Sequence, residues 1–353
     1  MAPFIYKHRK ILALRHLVLL LLTTAMAVQC VAHPLVQGMD SDAVEDSSNL
    51  LLFAALTLFP PIDCSDDGTV WTPYSATEPN FWTAVTFGNG LFVALSSGGS
   101  NQVMTSTTGV EWSPWSSAEG NSWAGIIYGN GLFVAVSSDG SNRVMTSADG
   151  FNWTARTAAA ANSWTSIAYG NGIYVAVSSD GANRVMRSID GISWTSHSAA
   201  ELNSWNNVTF GDGLFVAVSS DGTNRVMTSS DGINWTAQIA GSATWWDVVY
   251  GNGKFVGVEL GSTTMSSSNG ADWDFHSAVA PEMWSTVTYG DGLFVSVSAS
   301  ATTDSIMVTP DGTNWTSQQA PNDHAWLSIA YGSGTFVAVS PALNDNVMIS
   351  VCD

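Results

Sequence analysis

The sequence predicts an all-β chain folded as a seven-bladed β-propeller with four antiparallel strands per blade. Three observations lead there. A stretch of about forty residues recurs seven times between Trp82 and the C-terminus. Each copy holds four short runs rich in β-branched and aromatic residues, and none has a helical apolar period. Four-stranded sheets repeated at this interval, each covered on both faces by its neighbours, make a propeller.

The best copy runs from Asn121 to Ala161. Its first strand starts at Trp123 and ends at Gly129-Asn130-Gly131, where an Asn-Gly step between apolar runs signals a tight hairpin. The second strand, Leu132 to Ser138, is nearly continuous apolar text, as in sheets buried on both faces. A Ser-Asp-Gly loop leads to a third strand, Arg143 to Ser147, and Asp149-Gly150 turns it into a fourth that opens at Trp153. The Trp that opens W-x-x-[VI]-x-[YF]-G is read as Trp82, Trp123, Trp164, Trp205, Trp246, Trp284 and Trp326. The Trp after each Asp-Gly-like turn is Trp71, Trp112, Trp153, Trp194, Trp235, Trp273 and Trp315. Of the 16 Trp, Trp115 and Trp245 are left over.

Three segments follow along the chain. Residues 1–27 read as a secretory signal: Lys7, Arg9, Lys10 and Arg15, an apolar run from Leu17, then Ala25-Met26-Ala27 as a cleavage site. Residues 28–63 are an acidic and then apolar linker or pro-segment, too short in its apolar part to span a bilayer. Residues 64–353 are the propeller. Ser65 to Thr72 matches the end of a repeat, and the C-terminal Val347 to Asp353 stops where that end should begin. The N-terminal strand is therefore expected to complete the last blade and remove its open edge. Cys64 and Cys352 flank this seam, and a secretory route permits a bridge between them. Two free, buried thiols are the alternative.

The turns Ser147-x-Asp149-Gly150-x-x-Trp153, Ser188-x-Asp190-Gly191-x-x-Trp194 and Ser229-x-Asp231-Gly232-x-x-Trp235 resemble the Asp-box of sialidase-type and other BNR-repeat propellers. The resemblance covers residues 65–353. It departs from the usual box in having Asp and Gly adjacent, and Thr108 and Asn269 replace Asp in two copies. The resemblance implies a structural turn role for Asp67, Asp149, Asp190, Asp231 and Asp311, which turn chemistry also supports. A sialidase would need an arginine cluster opened by a Phe-Arg-Ile-Pro-type motif, and this sequence has none. The chain thus looks like a non-catalytic variant. Photosystem assembly propellers also resemble this architecture, but the N-terminus does not read as a transit peptide.

Composition narrows the partners. The formal net charge is −19, and four of the ten Lys and Arg fall in the first 27 residues. Nucleic acid is excluded, because its binding rests on neutralising phosphates. Anionic membrane surfaces are disfavoured for the same reason, and no membrane insertion is expected after signal cleavage. No His, Cys or carboxylate spacing suggests a metal centre. No cofactor is expected, although the acidity leaves calcium open in the Asp-Gly loops.

Candidate binding residues are few. Arg143, Arg184 and Arg225 occupy one slot of successive repeats, either paired with loop residues Asp139, Asp180 and Asp221 or forming an anion-gripping row. Trp245 and Trp115 are candidate sugar-stacking platforms, or else packing variants. The connections from the fourth strand to the next first strand vary most, and loops on a rigid scaffold are where binding concentrates. The sequons at Asn152, Asn234 and Asn314 lie beside the Asp-Gly turns and accept glycans if the source is eukaryotic. The sequence thus points to a secreted, monomeric, non-enzymatic binding propeller for a glycan or an extracellular protein. A glycoside hydrolase or lyase of sialidase-like architecture and a structural or adhesive scaffold are the alternatives.

Overall fold

The structure, a computed structural model, describes residues 69–352. The expected signal at 1–27, the segment 28–63, Cys64 and Asp67 lie outside the described residues. Strand β1 is Thr69–Tyr74. The first full sheet is β2 to β5: Trp82–Gly88, Leu91–Ser96, Val103–Ser106 and Ser113–Trp115. The second is β6 to β9: Trp123–Gly129, Leu132–Ser137, Val144–Ser147 and Thr154–Arg156. The third is β10 to β13: Trp164–Gly170, Ile173–Ser178, Val185–Ser188 and Thr195–His197. The fourth is β14 to β17: Trp205–Gly211, Leu214–Ser219, Val226–Ser229 and Thr236–Gln238. Next come β18 (Trp245–Gly251), β19 (Lys254–Ser267), β20 (Asp274–Gly290), β21 (Leu293–Ser298), β22 (Ile306–Thr309) and β23 (Thr316–Gln318). The chain ends with β24 (Ser328–Gly332), β25 (Thr335–Val339) and β26 (Val347–Cys352).

The expected seven blades are corrected to six. The strands form six hydrogen-bonded sheets, five of four strands and one of six, β18 to β23. The cause lies between the fifth and sixth repeats. There β19 and β20 run on as a ribbon, with Leu260 opposite Met283, Gly261 opposite Glu282 and Thr263 opposite Ser277. The text at 259–264 is Glu-Leu-Gly-Ser-Thr-Thr, without the Ser-Asp-Gly loop of the earlier repeats. Lacking that turn chemistry, a β-branched stretch stays extended.

The two chain ends do meet. Strand β1 pairs antiparallel with β26, from Thr69 opposite Cys352 to Tyr74 opposite Val347. The order β1-β26-β25-β24 covers an edge that would otherwise be free to pair with another chain. Trp71 of β1 enters the same core as Trp326 and Phe336.

The first strand of each repeat packs on the first strand of the next. The contacts run β2, β6, β10, β14, β18, the second half of β20, β24 and back to β2. These strands therefore surround the axis, and the short, exposed fourth strands lie outside. The hairpins from first to second strands need a left-handed residue pair, and Asn130 (φ 48°) with Gly131 (φ 78°) supplies it between β6 and β7. The Gly that ends each first strand has a separate reason. A Cβ on Gly129 would lie 2.3 Å from the Tyr169 ring of the next repeat. The same contact recurs around the ring and closes with Gly332 against Phe87. Each aromatic also tilts against the ring facing it on its own second strand, as Tyr128 does on Phe133 at 4.6 Å. The core is thus a closed series of sheet-to-sheet seams with fully buried Trp82, Trp123, Trp164, Trp205, Trp245, Trp284 and Trp326.

Candidate functional site

Most of the repeated polar text is engaged in holding the scaffold. In the second repeat Asp149 Oδ1 accepts the N–H groups of Phe151 and Asn152 at 3.0 and 2.9 Å. Ser147 Oγ accepts from Gly150 N–H at 2.8 Å, and Trp153 Nε1 donates to the Gly150 carbonyl at 3.0 Å. The two Asp bonds recur at Asp190, Asp231 and Asp311, whereas the Trp bond recurs at Trp194 and Trp315 donates instead to Thr264 Oγ1. Asn269 accepts the equivalent pair through its amide oxygen, so the turn needs an acceptor and not a charge. Backbone donors hold the Asp149 and Asp231 carboxyls well below the usual range, with the Asn152 and Asn234 N–H groups the largest contributors. The N–H of Ser193 leads the set that lowers Asp190 to about 2. The sequon side chains Asn152, Asn234 and Asn314 are exposed, and each donates its amide to the turn Asp at 2.8 Å.

The hydrogen bonds of the arginine row go to backbone carbonyls, while the charge of Arg143 also acts on Asp139. Arg143 donates to the carbonyls of Gly140, Ser138 and Asn162, the last in the next repeat. Arg184 donates to Gly181 and Ser179, and Arg225 to Gly222, Ser242 and Ala243. The loop carboxylates bond elsewhere: Asp139, Asp180 and Asp221 accept from Ser122, Ser163 and Ser204. The three guanidinium groups therefore brace loops and reach across to neighbours. Among the described residues no group of three or more His, Cys, Asp or Glu is placed to hold a metal ion.

Trp245 is corrected from exposed platform to core. It is fully buried, donates Nε1 to the Ala240 carbonyl at 2.7 Å, and its ring lies nearly parallel to Phe275 at 6.0 Å. The residue left over in the fifth repeat is Trp246, which is 40% exposed. The tandem Trp hid this, but the spacing shows it. Trp123 stands six residues before Gly129, and Trp245, not Trp246, stands six before Gly251.

Trp246 occupies a slot with a defined job elsewhere. Thr83 donates its hydroxyl to the Trp123 carbonyl at 2.7 Å, and Thr165 does so to Trp205 at 2.8 Å. Asn206 donates to Trp245 and Ser285 to Trp326 at 2.8 and 2.6 Å. Each bond staples one inner strand to the next. Trp246 makes no such bond among the described residues and presents its ring at the surface instead. Met283, just before the next inner strand, is 45% exposed. Both lie at the end of the axis that carries the second-to-third and fourth-to-first connections. The exposed Phe81, Leu202 and Leu343 are on connections of that end too. Among the described residues no cation pairs with Glu282, which sits beside Met283 in the ribbon.

The neighbour of Trp246 is also unusual. Asp247 is buried, its Oδ2 accepting Val287 N–H from the next repeat and its Oδ1 accepting its own Val248 N–H, both at 2.8 Å. Burial pushes its pKa up to about 6, against the effect of these donors. Ser166 and Ser328 make the neutral version of this cross-link, to Val208 and Val85. The other expected platform, Trp115, lies on an outer strand, 37% exposed, with Nε1 donating to Thr105 Oγ1 at 2.9 Å.

Comparison with known proteins bears on the fold. Residues 124–245 match a family described as the DUF6242 beta propeller domain. No curated protein matches. Among solved structures, virginiamycin B lyase from Staphylococcus aureus is similar at 10% identity and a TM-score of 0.71, over 80% of this chain and 99% of that one. YCF48 bound to D1 peptide is similar at 15% identity and a TM-score of 0.62, over 81% and 98%. The extracellular domain of a putative one component system from B. thetaiotaomicron is similar at 6% identity and a TM-score of 0.57, over 79% of this chain and 39% of that one. At such identities the likeness concerns the β-propeller fold alone.

Proposed function

We propose that this chain is a secreted, non-enzymatic binding propeller that takes a cationic and apolar segment of an extracellular protein at the Trp246 end of its axis. One observation carries the reading: a large aromatic is exposed in a slot where four other repeats use a polar residue to staple the ring. Large aromatics supply much of the binding energy at protein interfaces. A net charge of −19 would steer a basic partner toward the surface. The structurally similar YCF48 was solved with a peptide, which is consistent with such use of the fold.

The finer reading as a non-catalytic relative of Asp-box propellers rests on the turn Asp residues, whose carboxylates are engaged by backbone donors. A Cys64–Cys352 bridge belongs to the same secreted reading. Counting free thiols by mass spectrometry without reductant tests it. The binding reading is tested by selecting a random displayed peptide library on the folded protein. Selected sequences should be enriched in Lys or Arg with Leu, Ile or Phe, and should lose binding to Trp246→Ala. Peptides without that composition, or binding indifferent to position 246, would remove the proposal.

A further inference from the structure

A second surface, outside this reading, lies on the first repeat. A cleft of about 540 Å3 there is lined by Leu91, Thr105, Thr107, Thr108, Glu111 and Ser113 among others. That volume is within the range of small-molecule sites. Its wall is the turn in which Thr108 replaces Asp. In the turns at 149, 190, 231, 269 and 311, one side-chain oxygen accepts two backbone N–H groups, two and three residues further on. Thr108 Oγ1 takes only the first of these, from Val110 at 3.3 Å. The Glu111 N–H has no acceptor among the described residues. A position filled by a protein oxygen in five turns is therefore open in the turn that borders the cleft.

The same repeat differs at its outer strand. Trp115 stands where later repeats carry Arg156, His197 and Gln238. Its indole nitrogen is fixed by Thr105, a residue of the cleft wall. Its ring meets Phe151 of the second repeat with centroids 5.1 Å apart and planes at 41°. Both rings are 37% exposed. Thr107, Glu111 and Ser113 of the cleft are exposed, and among the described residues no group bonds their side chains.

We propose that this cleft binds one or two residues of a neutral glycan. The C–H face of a pyranose matches an exposed aromatic pair. Sugar hydroxyls both donate and accept, as a carboxylate and an open N–H on the same residue require. One hydroxyl donates to the Glu111 carboxylate; another accepts from the Glu111 N–H. An anionic sugar is opposed by Glu111 and by the net charge of the chain. A purely apolar ligand would bury the open N–H and the carboxylate without partners.

The test is isothermal titration of the full chain with cellohexaose, laminarihexaose, mannohexaose and xylohexaose. At least one is expected to bind, with Trp115→Ala and Glu111→Gln each weakening it tenfold or more. Thr108→Asp restores the repeat consensus and puts a carboxylate on the open donors. It should abolish sugar binding while leaving the melting temperature unchanged or higher, which a folding defect would not do. Trp246→Ala should leave sugar affinity unchanged, separating this site from the protein-binding surface. Failure of all four sugars to bind at millimolar concentration, or equal affinity in Thr108→Asp and wild type, overturns the proposal.

Discussion

Repeats two to four and repeat five are built from the same text and differ in what they leave at the surface. In repeats two to four nearly every polar side chain of the motif bonds within the scaffold. Asn121, for example, donates to the Asn142 carbonyl at 2.7 Å and fixes the second-to-third loop. In repeat five the loop becomes a ribbon, the staple becomes an exposed Trp246, and a buried carboxylate, Asp247, sits at the seam. Regular repeats stabilise the ring; departures from them leave side chains exposed at the surface.

Five substitutions at four positions separate these roles, and the largest effect belongs to the regular part. Trp164→Ala removes a fully buried inner side chain and should cost about 3–5 kcal/mol by guanidinium denaturation. A loss near zero would break the claim that the inner Trp residues hold the seams. Next is Asp247→Asn. The Asp247 pKa is raised to about 6 in the fold, so its contribution is fully present below about pH 4 and is lost as pH rises through 6. Relative to the variant, wild-type stability should fall by about 2–3 kcal/mol between pH 4 and pH 8, following the pKa difference. Parallel pH profiles would contradict the buried, charge-isolated carboxylate.

In the turns, Asp190→Ala should cost about 1 kcal/mol, as for loss of a capping acceptor. Asp190→Asn should cost less than Asp190→Ala near neutral pH, since Asn269 keeps the same two bonds through an uncharged oxygen. Because the Asp190 pKa is lowered to about 2, its charged form favours folding above pH 4 and this is lost as pH falls through 2. Asp190→Asn should therefore flatten the acid limb of the stability curve. Smallest is Trp246→Ala, expected within about 0.5 kcal/mol of wild type because the ring is exposed and staples nothing.

Much of the fold was legible in the sequence because its signals are local. Asn-Gly hairpins, Asp-Gly turns and the apolar second strands each declare themselves within a few residues. The closure was legible because Ser65 to Thr72 reads as the missing end of the final repeat. The sheet count was not, because fusion depends on the absence of a turn between Glu259 and Thr264, and an extended β-branched loop looks like any other variable loop. Trp245 and Trp246 were exchanged because adjacent Trp residues satisfy a motif equally well until the distance to Gly251 is counted. The bracing role of the arginine row was not legible because its acceptors are backbone carbonyls, which leave no trace in side-chain patterning. The cleft beside Thr108 follows from a substitution visible in the sequence. Its meaning needed the geometry of the five turns that keep their acceptor.

The claim that the fifth repeat carries the recognition surface is tested most directly by hydroxyl-radical footprinting of the protein with and without a library-selected peptide. Oxidation of Trp246 and Met283 should fall on binding, while oxidation of Trp115 stays unchanged. Unchanged Trp246 oxidation in the saturated complex would contradict the account.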